Sequence, residues 1–165
     1  MTDPSNLALE RVGELNRRPA FRAAGMMKRF DRDSVHAIPA LWDQLDAHLP
    51  VPGSKRGTLG LCLPGAPDAG DLVYMAGVEM EDGAPDPQGL ETVEVPAQAY
   101  AVWRLTTNGE ALHPQMQTAV RDIWGRRLKE AGLKAAGGPD FELYPPYFTG
   151  HKAGETVEFW IPVEG

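Results

Sequence analysis

Two carboxylates in this chain are spaced to share a surface with aromatic rings: Glu142 with Tyr144, and Glu158 with Trp160. In an extended segment, residues i and i+2 point the same way. Tyr144 and Trp160 have the opposite phase to Leu143 and Phe159, so we expect Glu142, Tyr144, Glu158 and Trp160 together on one sheet face. An aromatic-walled pocket with an acidic floor attracts organic cations through ring faces and one desolvated negative charge. Desolvation raises the pKa of such a glutamate and keeps it available as an acid or base. The plainer alternative is a solvated strand face, the common place for a single Glu.

Other chemistry is sparse. There is no G-x-S-x-G, H-E-x-x-H, Walker loop or C-x-x-C. His36, His48, His113 and His151 are scattered without ligand spacing, so no metal and no cofactor is expected. Cys62 lies on an apolar strand, where inert burial is the expectation. The aromatics are unevenly spread: nine of thirteen lie between Tyr100 and Trp160.

The elements that must position these residues follow from periodicity. Residues 20–30 read as a strand. Ile38, Leu41, Trp42, Leu45 and Leu49 form one helical stripe, with Pro39 near its start and Pro50 ending it. Strands are expected at 58–63, 71–80, 98–106, 141–144 and 155–163. Tyr100, Val102 and Arg104 fall on one face of the 98–106 strand, and Ala101, Trp103 and Leu105 on the other. A second helix covers 112–131, with Trp124 in its apolar stripe and Gly125 as an internal cost of about 1 kcal/mol relative to Ala, expected to serve close packing. Residues 1–18 read as an arm or short edge element, whose exposed edge would pair with a second chain in a homodimer.

The order strand–helix–strand–strand occurs twice, and a shift of 82 residues superposes the halves. Leu41-Trp42 falls on Ile123-Trp124, Leu59 on Phe141, Leu61 on Leu143 and Val78 on Trp160. We therefore expect an α+β domain of two βαββ modules, about 19–95 and 96–165, related by a pseudo-two-fold axis. Such a fold has an antiparallel sheet, two helices and a ligand cleft between the halves.

Composition fits that reading. The 165 residues carry 16 Lys+Arg against 23 Asp+Glu, a net charge of −7, which argues against nucleic-acid binding. The hydrophobic fraction of 42% excludes a disordered chain. No apolar run approaches the ~20 residues that cross a bilayer. Residues 1–6 lack the pattern of a signal peptide, and the single cysteine suits a reducing cytoplasm. The 18 Gly and 15 Pro gather in joints: 50–53, 64–70, 83–89, 137–139 and 145–154.

From about residue 20 onward the sequence resembles the GyrI-like small-molecule-binding domain, the effector-binding domain of AraC- and MerR-type multidrug-sensing regulators. The resemblance rests on Ile38-Pro39-Ala40-Leu41-Trp42, Tyr74 to Glu79, Gly89-Leu90, Val95 to Trp103, Phe141 to Tyr144 and Val157 to Val163. It implies a ligand held between the two halves. It also implies that Glu142 contacts cationic, aromatic ligands and that Tyr144 lines the pocket. Trp103 and Trp160, on flanking strands, are our inferred additions. The chain departs from the family at Trp124-Gly125-Arg126-Arg127, where two arginines are expected to alter the pocket rim. Some 20 residues precede the matched region, too few for a helix-turn-helix, so a free-standing member is expected.

Three functions follow. The first is binding of an amphipathic, cationic or aromatic small molecule. The second, by resemblance, is hydrolysis of cyclopropane-type compounds with Glu142 as general base. The third is a protein-binding role against a topoisomerase-like partner, through the acidic surface.

Overall fold

The computed structural model describes residues 7–31, 33–64 and 72–164. Most of the expected 64–70 joint lies outside these residues. The chain forms β1 (Leu9–Arg11), β2 (Asn16–Arg18), β3 (Phe21–Phe30), α1 (Ile38–Asp46), β4 (Thr58–Pro64), β5 (Leu72–Glu79), β6 (Glu91–Val95), β7 (Gln98–Asn108), α2 (Leu112–Asp122), β8 (Asp140–Tyr144) and β9 (Ala153–Pro162). The α+β class and the antiparallel sheet are as expected. The strand β6, pairing β3 from Phe21–Val95 to Gly25–Glu91, was not anticipated.

The strands join in the order β1-β7-β9-β8-β4-β5-β3-β6, with β2 also on β7. This order is symmetric about the β4–β8 pair. Each half supplies three strands, and each outer edge is extended by one further segment: β6 on β3, and the 9–18 segment on β7. Within the sheet, the described residues of the two halves join through five antiparallel pairs, from Thr58–Tyr144 to Cys62–Asp140.

Both helices cover the same face. In α1 the expected stripe buries Leu41 and Leu45 against Phe30, Tyr74 and Ala76. It ends at Asp46, and Pro50 soon supplies no donor to prolong it. α2 buries Ala119, and Ile123 beyond it, against Trp103, Leu105, Val157 and Phe159. The central strands β4 and β8 therefore floor the space between the helices.

Downstream of α2 the backbone widens into a π-helical turn, Ile123–Arg127, before a last α turn, Leu128–Glu130. This corrects two expectations. The wider turn shifts the helical phase, and Trp124 is 44% exposed rather than core. A Cβ at Gly125 would meet open space, so close packing is not the reason for that glycine. The two arginines of this turn both clasp buried Asp122, Arg126 Nε at 2.9 Å and Arg127 Nε at 2.5 Å. Arg127 also donates to the Leu9 carbonyl, tying β1 to the helix.

The other face of the sheet carries a separate core of Phe21, Leu59, Leu61, Met75, Tyr100, Val102 and Phe141. The Phe21 and Phe141 rings meet at 5.4 Å although β5 and β4 lie between their strands. The sheet is therefore curled toward this face. Among the described residues, no helix is long and apolar enough to cross a membrane.

Candidate functional site

The antiparallel register lays the helix-covered face out in rows. One runs Met26–Ala76–Gly60–Glu142–Phe159–Trp103 and a second Lys28–Tyr74–Cys62–Asp140. Glu142 thus stands at the centre, on β8, with two small residues beside it.

Glycine at position 60 is required by what it faces. A Cβ there would overlap the Tyr74 hydroxyl and the Glu142 carboxylate, which meet in the space it leaves. Tyr74 Oη donates to Glu142 Oε1 at 2.7 Å, and Tyr144 Oη donates to the same oxygen at 3.0 Å. Trp42, projecting from α1, donates its Nε1–H to Tyr74 Oη at 3.1 Å. Its ring meets Tyr144 edge-to-face at 5.4 Å and 83°, and Phe148 packs on Tyr144 at 5.0 Å. The carboxylate is thus covered by three aromatic side chains, and all its hydrogen bonds within the described residues come from neutral phenols.

The electrostatics follow from that surrounding. Burial pushes the Glu142 carboxyl above its usual range, and the two phenol hydrogen bonds offset part of the rise. Burial, then the Glu142 charge, pushes Tyr74 and Tyr144 well up, so both remain proton donors at neutral pH. Asp140, two residues along the same strand and face, is raised to about 7 by burial and by Glu142. The Cys62 thiol is pushed up by burial and by both carboxylates, in keeping with an unreactive cysteine. No group of three or more His, Cys, Asp or Glu side chains among the described residues could hold a metal ion.

The structure brings Glu142 and Tyr144 together and leaves Trp103 and Trp160 elsewhere. Trp103 is in the Glu142 row, but Phe159 stands between them; it is 2% exposed, in the core beneath α2. Trp160 is a correction of face. The register pairs Phe141 with Trp160 and Leu143 with Glu158, and opposed residues share a face. Trp160 and Glu158 therefore belong to the curled face, where Trp160 stacks on Phe141 at 5.6 Å and 9°. Its Nε1 donates to Glu158 at 3.2 Å. Phase within one strand cannot fix which face two strands share; only register does.

Tyr74, Trp42, Gly60 and Asp140 were not identified in the sequence as site residues. One signal was available: Gly60 sits alone inside an apolar strand, which marks a close approach.

A family model described as the GyrI-like small-molecule-binding domain matches residues 14–164. The chain belongs to this family. A GyrI-like chain such as this one is 32% identical over 148 residues to the transcriptional regulator BrlR of Pseudomonas aeruginosa strain PAO1. The match takes in 88% of this chain and 53% of that regulator, so the chain spans about half the length of the curated relative it matches. Among solved structures, SAV2435 bound to tetraphenylphosphonium superposes with a TM-score of 0.75 at 19% identity, over 94% of each chain. An integron cassette protein from the mobile metagenome of Vibrio cholerae superposes at 0.68 and 18% identity, over 94% of this chain and 99% of its own. These likenesses show the fold, and the family carries the small-molecule-binding character.

Proposed function

We propose that this domain binds an amphipathic organic cation between α1 and α2, with Glu142 as its counter-charge and Tyr144, Tyr74 and Trp42 as its walls. The observation that carries the reading is a desolvated carboxylate answered, among the described residues, only by neutral phenols. Such a group gains from any cation that replaces the lost solvation. A delocalised cation, itself weakly hydrated, loses least on entering and gains from the surrounding ring faces. The tetraphenylphosphonium in the SAV2435 structure is an ion of this class. The net charge of −7 adds long-range attraction for cations.

Titration with rhodamine 6G and with tetraphenylphosphonium, read by tryptophan quenching, tests this. Trp42 lies at the site and should report directly. Glu142→Gln should weaken binding by about 10- to 100-fold, the cost of one charge-assisted contact. Equal affinity in wild type and Glu142→Gln, or no saturable binding at all, would sink the reading.

A second reading is favoured by Asp140. Two carboxyls on one face, one raised to about 7, supply an acid and a base for hydrolysis of an electrophilic ring such as a cyclopropane. Glu142 would take a proton from water as the water oxygen bonds to one ring carbon; the ring C–C bond to that carbon would break, and Asp140 would protonate the group that keeps its electron pair. Product formation that is lost in Glu142→Gln decides for it; stoichiometric binding without product decides against it.

A further inference from the structure

The curled face holds a groove that the cation reading does not use. Its volume is about 540 Å³, within the usual range for small-ligand sites. In a chain of net charge −7, four cations line it: Arg18, Lys55, Arg56 and Arg104. Two lining carboxylates face them, Glu79 and Glu158.

The pairing does not balance. Glu79 is shared, by Arg18 at 2.8 Å and Lys55 at 2.7 Å. Glu158 receives Arg104 at 2.8 Å and the Trp160 N–H. Arg56 donates to the Tyr147 hydroxyl at 3.0 Å and to no carboxylate among the described residues. Two positive charges are in excess within the groove. Glu10, at 3.8 Å from Arg104 and 71% exposed, offsets one of them only from the rim. Beside the charges lies apolar surface from Leu143, Pro145 and Pro146, over a buried Leu59, and the Arg18 guanidinium lies over the Phe21, Phe141 and Trp160 rings at 4.6, 5.4 and 5.1 Å.

We propose that this groove is a second ligand site, for a small organic anion: a sulfonate, carboxylate or phosphate ester on an aromatic or apolar body. The head group would lie between Lys55, Arg56 and Arg104, where guanidinium forks suit planar and tetrahedral oxyanions. The body would cover Leu143 and the Pro145–Pro146 surface. The site is opposite in sign to the Glu142 site and lies on the other face of the sheet; Tyr144, at the end of β8, borders both.

The test is a fluorescence titration with 8-anilinonaphthalene-1-sulfonate at low ionic strength, with fold checked by circular dichroism. Saturable one-to-one binding is expected, weakening with added salt. Lys55→Ala with Arg56→Ala, both on exposed side chains, should weaken it about tenfold. Glu158→Gln, which frees Arg104, should strengthen it severalfold. Glu142→Gln should leave it unchanged. The proposal is overturned by binding that ignores the Lys55 and Arg56 substitutions, or that falls with Glu142→Gln. It is overturned equally if inorganic phosphate displaces the probe as well as naphthalene-1-sulfonate does, since the groove would then take bare anions without using its apolar floor.

Discussion

The two faces of the sheet hold carboxylates beside aromatic rings in different ways. On the curled face, Glu79 and Glu158 are answered by arginine and lysine, and the rings beneath them are stacked core. On the helix-covered face, Glu142 is answered by Tyr74 and Tyr144, which share a proton but bring no charge. Glu79 is therefore compensated in charge, whereas Glu142, among the described residues, has hydrogen bonds but no cation. A carboxylate in a fold is read by what donates to it, not by how deeply it lies.

The strongest way to break this contrast is at position 60. Gly60→Ala inserts a methyl where Tyr74 and Glu142 meet. We expect cation binding to be lost, with a stability cost of about 1–3 kcal/mol in denaturant unfolding, typical of overpacking. Full binding in this variant would show that the phenol–carboxylate contact is irrelevant.

Next in size is a paired substitution. Glu79→Gln strands Arg18 and Lys55 and should cost about 1–3 kcal/mol. Glu142→Gln removes a desolvated charge that has no cation, and should leave the melting temperature level or raise it. If the two variants lose the same stability, the faces do not differ as argued.

The smallest expected effect is a pH slope. Asp140 has its folded pKa raised to about 7, so between the ordinary carboxylate range and pH 7 the folded state holds the extra proton. Stability should therefore fall as pH rises across that window and level off above it. Asp140→Asn should flatten the slope in urea titrations at pH 4.5, 6 and 8, and an unchanged slope would assign it elsewhere.

Much of the architecture was legible because both halves repeat one pattern at one shift, and the apolar runs fell on the strands and helices observed. Glu142 and Tyr144 were legible too, since i and i+2 on one strand must share a face. Tyr74 and Asp140 were not, because their meeting with Glu142 depends on registers between β5, β4 and β8 that no single segment encodes. Trp160 was placed on the wrong face for the same reason. Trp124 was misplaced because a π turn has no reliable sequence mark, and β6 because Glu91-Thr92-Val93-Glu94-Val95 buries only its last residue fully.

The glycine that makes room for the carboxylate has one more consequence. Gly60 and Glu142 are 82 residues apart, which is the repeat shift, and they face each other across the seam of the two halves. They are thus the same position in the two copies, one on each side of the pseudo-two-fold axis. A dimer of identical half-length chains would have to place the same residue on both sides. Two glutamates would crowd two like charges into one buried space, and two glycines would leave none. Joining the halves in one chain lifts that constraint, so the axis can carry a single charge. The asymmetry of the site is therefore something only a tandem copy, and not a symmetric pair, can encode.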